Sequence, residues 1–70
     1  MITLEEQIAE ARRELALRRK VYPAWIKSGK LDITTAHYQL QALEAIITTL
    51  MRLDAEQRQL FLFNQSAFPD

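Results

Sequence analysis

This sequence of 70 residues contains no cysteine, one histidine, one glycine and two prolines. The absence of cysteine excludes disulfides and thiolate metal sites, and His37 alone cannot build a metal site. A single core of this size supplies only a few kcal/mol of net stability unless something else supports it. With disulfides and metals excluded, association with a second copy is the expected source of additional stability.

The chain also lacks net charge, since nine Lys and Arg residues balance nine Asp and Glu residues. This balance removes whole-molecule charge as an argument for binding nucleic acid or membranes. No apolar run approaches the roughly 20 residues of a membrane span. Met1 is followed by ITLEEQ, which lacks the apolar stretch of a signal peptide. We therefore expect a soluble protein of the cytoplasm that does not bind membranes.

The scarce glycine and proline residues divide the chain into two predicted helices. Helix 1 is predicted over residues 4–28 and helix 2 over residues 33–58, with a turn at residues 29–32. In the turn, Gly29 suits the left-handed position after a helix, and Asp32 suits the cap of the next helix. Two helices of similar length joined by a short turn predict an all-α fold, an antiparallel helical hairpin.

Apolar residues recur at steps of three and four on both predicted helices, which gives each helix an apolar stripe. Helix 2 has more apolar surface than one neighbouring helix can cover, because Ala42, Ile46 and Leu53 widen its stripe. An isolated hairpin would leave these side chains in water. We therefore predict a homodimer in which two hairpins form a four-helix bundle.

Pro23 lies in the middle of predicted helix 1, where a proline removes one backbone hydrogen bond and kinks the helix. The favoured interpretation is that the kink places Tyr22 and Trp25 over the loop end of the core. The alternative is that the kink exposes Trp25 as an anchor for a binding partner.

Arg18 takes a stripe position between Leu15 and Tyr22, where the pattern calls for an apolar side chain. The expected register of the hairpin pairs Tyr22 with Leu40. In that register Arg18 faces Glu44, and we predict an interhelical salt bridge between them that fixes the register.

The residue patterns typical of enzymes are missing, namely a Gly-rich phosphate loop, a Cys nucleophile and a Ser-His-carboxylate set. We predict a non-catalytic protein without a cofactor. A cluster of basic residues on helix 1 falls within about a third of the helix circumference, opposite the apolar stripe. This basic face consists of Arg12, Arg13, Arg19, Lys20 and Lys27. It is interpreted as a solvated face, with binding of nucleic acid or an acidic protein as the alternative.

Residues 15–46 resemble a group of short phage and prophage proteins with a helical hairpin. The shared elements are Tyr-Pro-x-Trp at 22–25, a Gly-basic-apolar turn at 29–31, and an apolar-Glu-Ala-Ile run at 43–46. This group is similar to the phage quorum-sensing anti-activators, helical dimers that bind a host LuxR-type transcription regulator and a pilus assembly ATPase. The resemblance implies an inhibitor that binds a host protein through its helix faces.

The sequence QLFLF at residues 59–63 resembles the pentapeptide by which bacterial polymerases and repair proteins bind the DNA polymerase sliding clamp. The four matching positions are Gln59, Leu60, Leu62 and Phe63. The resemblance implies that Gln59 forms a hydrogen bond at the edge of the clamp groove, while Leu62 and Phe63 enter its apolar pocket.

The location of this segment leads us to expect that residues 59–70 form an exposed docking tail. One alternative is that helix 2 continues through Leu60 and Phe63. Another is that the tail folds over the end of the bundle and buries Phe61, Phe63 and Phe68. The favoured function is a phage or prophage accessory protein that binds and modulates a host protein, with the sliding clamp as the most specific candidate.

Overall fold

The computed structural model describes residues 1–66, with side chains described through Asn64. Two helices make up this part of the chain: α1 spans Leu4–Lys27 and α2 spans Ile33–Ser66. They pack against each other as a hairpin, and the described residues contain no strand. The prediction of an all-α helical hairpin is confirmed.

The start of α1 is fixed by a capping box. The Thr3 hydroxyl accepts a hydrogen bond from the Glu6 backbone N–H at 3.1 Å, and the Glu6 carboxylate accepts one from the Thr3 N–H at 3.1 Å. These bonds satisfy N–H groups that have no partner within the helix. The helix continues through Pro23 to Lys27, and the predicted kink at this proline stays a prediction.

The turn between the helices has the backbone geometry that its sequence favours. Gly29 has a φ of 79°, which lies in the left-handed region. The backbone N–H groups of Lys30 and Leu31 donate to the Trp25 carbonyl at 2.9 and 3.1 Å. The Asp32 carboxylate accepts from the N–H groups of Thr34 and Thr35 at 3.0 and 3.2 Å. The last turn of α1 and the first turn of α2 are therefore both capped.

The core is small and lies between the two helices. Its buried side chains are Leu15, Tyr22, Ala36, Leu43 and Ile47. Ala11 and Leu40 pack against this cluster. Beyond Ile47, no side chain as far as Asn64 is buried. Residues 48–64 of α2 therefore contribute no buried side chain to the core of one hairpin.

Three polar contacts along one side of the hairpin define its register. They are spaced seven residues apart on each helix, which is the spacing of a two-turn coiled-coil repeat. The contacts are Arg58 Nη2 to Glu5 Oε1 at 2.9 Å, Arg12 Nη2 to Met51 Sδ at 3.2 Å, and Arg19 Nη2 to Glu44 Oε1 at 3.6 Å. Because helix 1 positions rise as helix 2 positions fall, the two helices are antiparallel.

The predicted salt bridge between Arg18 and Glu44 is wrong. Arg18 Nε binds Glu14 Oε1 at 3.1 Å, and Arg18 Nη1 donates to the Gln39 carbonyl at 3.4 Å. The partner of Glu44 is Arg19. At about 100° per residue, Gln39 and Glu44 project about 140° apart from α2, so they lie on different sides of the helix interface. The level of two residues along the hairpin axis does not determine on which side of the interface each one lies.

The predicted end of helix 2 at Arg58 is wrong, because α2 continues to Ser66. The sequence of residues 59–66 contains no glycine or proline, and its glutamine, leucine and phenylalanine residues are compatible with a helix. The next strong helix breaker is Pro69, which lies outside the described residues together with Phe68. Nothing local therefore stops the helix at Arg58.

Candidate protein-binding surface

The last described turns of α2 carry four consecutive large apolar side chains that are largely exposed. Their exposed fractions are 62% for Leu60, 61% for Phe61, 61% for Leu62 and 68% for Phe63. At about 100° per residue, four consecutive residues surround the helix axis. A helix that is apolar on all sides is normally a buried helix. We call residues 59–66 the terminal turns.

The terminal turns are exposed because α2 is longer than α1. Glu5 lies opposite Arg58, and α1 begins at Leu4, so α2 runs beyond the start of its neighbour. Leu62 and Gln59 still line a groove beside Glu5 and Ile8. On the other sides of the helix, residues 1–64 provide no second layer that covers the apolar side chains.

The sequence QLFLF therefore lies on a helix and not on an extended tail. Leu60 and Phe63 line a shallow groove with Glu56 and Gln59, whereas Leu62 faces the groove beside α1. Leu62 and Phe63 project about 100° apart. The alternative in which helix 2 continues through Leu60 and Phe63 is the one found for residues 59–66.

A second apolar stripe follows α2 on the face turned away from α1. Its members recur at steps of four and three, which is the spacing of a coiled-coil seam. This outer stripe consists of Ala42, Ile46, Thr49, Leu53, Leu60 and Phe63. Ile46 is 52% exposed and Leu53 is 41% exposed. One stripe position is occupied by Glu56, whose carboxylate lies 3.9 Å from Arg52 Nε.

The two aromatic residues at the loop end have different surroundings. Tyr22 is buried, and its hydroxyl donates to Gln39 Oε1 at 2.8 Å. Trp25 is 39% exposed, with its ring centroid 5.7 Å from that of Tyr22 and 5.0 Å from Lys30 Nζ. Tyr22 therefore belongs to the core, whereas Trp25 lies at its edge and interacts with a cation.

Gln39 was not identified from the sequence, although it holds both Tyr22 and Arg18. Its side chain accepts from the Tyr22 hydroxyl, and its backbone carbonyl accepts from Arg18 at 3.4 Å. The available signal was a glutamine beside Leu40 on the predicted stripe, one residue before the expected partner of Tyr22. A buried tyrosine needs a hydrogen-bond partner for its hydroxyl, and Gln39 is the polar side chain one residue from the expected level of Tyr22.

The predicted basic face is divided between two surfaces. Arg12 and Arg19 lean toward α2, where they contact Met51 and Glu44, so they flank the apolar stripe and do not lie opposite it. Arg13 Nη2 binds both carboxylate oxygens of Glu10 at 2.6 and 2.7 Å, and this contact raises the pKa of Arg13. Lys20 and Lys27 are exposed. The continuous patch expected from the projection is thus smaller than predicted.

The described residues offer few other features that suggest chemistry. His37 is exposed and lies beside Ile33 and Tyr38. Residues 1–66 contain no group of three or more His, Asp and Glu side chains that could hold a metal ion. Neither described helix combines the length and the apolar character needed to cross a membrane. Comparison with protein-family models, with curated proteins and with solved structures finds no match to this chain.

Proposed function

We propose that this chain is a non-catalytic accessory protein that binds another protein through its terminal turns. The observation that supports this proposal is the exposure of Leu60, Phe61, Leu62 and Phe63. Burying such a side chain is worth about 1.5–3 kcal/mol, and each of these four is more than 60% exposed in this hairpin. A contiguous apolar surface of this kind is typical of an interaction site.

We also propose that two hairpins associate into a four-helix bundle. The outer stripe supports this, because Ile46 and Leu53 repeat at coiled-coil spacing on a face that α1 does not cover. The small core supports it as well, since the five buried side chains among residues 1–64 give a hairpin of this size little stability of its own. A second copy would cover the outer stripe.

The partner of the terminal turns that the residues favour is the bacterial sliding clamp, in keeping with a phage or prophage protein that modulates its host. In the clamp-binding pentapeptide, Leu62 and Phe63 would enter one apolar pocket. On a helix these side chains project about 100° apart, so the terminal turns would unwind on binding. Helix ends open at low free-energy cost, and the ordered peptide would then gain the burial of two apolar anchors.

Calorimetry with a purified sliding clamp tests this function. We expect the parent protein to bind, and a variant carrying Leu62→Ala and Phe63→Ala to lose binding while retaining its helical circular dichroism. Phe61→Ala is the matched control, because Phe61 is as exposed as its neighbours but occupies the unspecified position of the pentapeptide. Equal loss in the control would indicate nonspecific apolar contact, and no binding by the parent would exclude the clamp.

The second candidate is an inhibitor similar to the quorum-sensing anti-activators, which would bind a host transcription regulator or pilus ATPase through the helix faces. Exposed apolar and aromatic side chains outside the outer stripe favour it, since Leu17 is 52% exposed and Tyr38 is 69% exposed. Truncation after Arg58 separates the two functions. Loss of host-protein binding is expected for a partner of the terminal turns, whereas retained binding is expected for a partner of the helix faces.

A further inference from the structure

We infer that the second copy packs antiparallel to the first, with the outer stripe of one α2 against the outer stripe of the other. This inference rests on the four-helix bundle proposed above and specifies its interface and direction. Four observations support it: the charge at the two ends of the hairpin, the order of large and small side chains along the outer stripe, the position of Glu56, and the length of α2 beyond α1.

The two ends of the hairpin carry opposite net charge. The loop half, residues 15–45, holds five Lys and Arg residues against two Asp and Glu residues. The open half, residues 1–14 and 46–66, holds four basic against six acidic residues. An antiparallel pair places the positive half of each copy beside the negative half of the other, whereas a parallel pair places like beside like.

The outer stripe has a register in which it pairs with itself in the antiparallel direction. If the two-fold axis passes near Met51, Leu60 of each copy lies opposite Ala42 of the other, and Leu53 lies opposite Thr49. Large side chains then meet small ones at these levels, which is the arrangement that lets helices interdigitate.

Glu56 argues against the parallel direction. In a parallel pair, the two copies of this carboxylate would occupy the same level of the seam and repel each other. In the antiparallel register each Glu56 lies at the level of Ile46, so the two carboxylates are about 15 Å apart along the axis at ~1.5 Å per residue. The intrahelical contact with Arg52 further offsets the charge.

The terminal turns are covered by the body of the other hairpin only in the antiparallel direction. There, Phe63 reaches the level of Gln39 in the other copy, which is within the length of that hairpin and not beyond its end. In a parallel pair, the terminal turns of both copies would extend past both α1 helices and could cover only each other. The greater length of α2 therefore fits a partner that runs the opposite way.

The direction is tested by pulsed electron paramagnetic resonance, which measures the distance between nitroxide labels on the two copies. The chain has no cysteine, so Thr34→Cys gives one exposed label site per copy at the start of α2. In the antiparallel register the two labels are separated by about 50 Å at ~1.5 Å per residue. A parallel pair holds them within about 20 Å, since packed helices are ~10 Å apart, and that shorter distance would overturn the inference while leaving the dimer intact.

The interface is tested with two isoleucines of α2. Ile46 and Ile33 are 52% and 55% exposed, but only Ile46 belongs to the outer stripe. We expect Ile46→Gln to weaken the dimer about tenfold or more in sedimentation equilibrium, because the apolar contact of Ile46 is lost in both copies. We expect Ile33→Gln to leave the dimer unchanged. Equal effects would overturn the assigned interface. A parent that stays monomeric at all concentrations would overturn both this inference and the proposed bundle, whereas clamp binding is judged separately by calorimetry.

Discussion

The carboxylate of Asp32 holds the first turn of α2 through the backbone N–H groups of Thr34 and Thr35. We expect Asp32→Ala to lower the free energy of unfolding by about 1 kcal/mol, because both N–H groups lose their acceptor. Asp32→Asn is the control, since its amide oxygen retains the acceptor, and it should stay close to the parent. Urea denaturation measures the difference, and equal losses in the two variants would contradict the capping role.

The interhelical contacts of Tyr22 and Glu44 contribute differently to the free energy of unfolding. Tyr22→Phe removes a hydroxyl bonded at 2.8 Å to Gln39 from a buried ring, and leaves the glutamine oxygen without that donor. We expect a loss of about 1 kcal/mol. Glu44→Ala removes a 3.6 Å ion pair in which both side chains are more than half exposed, so we expect less than about 0.5 kcal/mol. Thermal melts of the two variants should therefore differ, and a larger effect at Glu44 would contradict the observed pairing.

The turn between the helices depends on the backbone freedom of Gly29. A Cβ added at this position would meet no atom within 4 Å, so Gly29→Ala introduces no clash with other residues. Its cost comes from the left-handed φ of 79°, and we expect about 1 kcal/mol of lost stability. Gly29→Asn should cost less, because asparagine tolerates this conformation better than alanine. If both variants matched the parent in chemical denaturation, the turn would have to relax to a right-handed conformation.

The start of α1 and the turn could be predicted from the sequence because their signals are local. Thr3, Gly29 and Asp32 each act on backbone groups within a few residues. The end of α2 could not be predicted in this way, since no residue near Arg58 stops the helix. No glycine or proline lies between Arg58 and Ser66, where the described part of α2 ends.

The side of the interface that each residue occupies was harder to predict than its level along the hairpin. The expected register was close to the observed one, because the contacts of Tyr22 and Arg19 fall within one residue of it. The identity of the partners depended on helix rotation, which the apolar stripe defines only broadly. Gln39 and Arg19 were therefore missed as the partners of Tyr22 and Glu44.

The opposite charges of the two hairpin halves predict how salt affects the proposed dimer. Raising the ionic strength from about 0.01 M to about 0.1 M shortens the screening length from ~30 Å to ~10 Å. We expect an antiparallel dimer to weaken several-fold over this range, because attraction between unlike halves is lost. Sedimentation equilibrium at the two salt concentrations shows whether the dissociation constant of the dimer rises or falls with salt. A dimer that becomes tighter with salt would indicate like halves side by side.

The unequal length of the helices, 34 residues against 24, has a consequence for how this protein would respond to its own abundance. Leu60 and Phe63 lie both on the outer stripe and in the segment proposed to bind a host protein. A copy whose outer stripe is buried in the dimer would therefore be unable to bind the host protein through these residues. Above the dissociation constant of the dimer, free monomer rises only with the square root of total protein. Further synthesis would then add little ligand for the host protein, and the hairpin would limit its own activity.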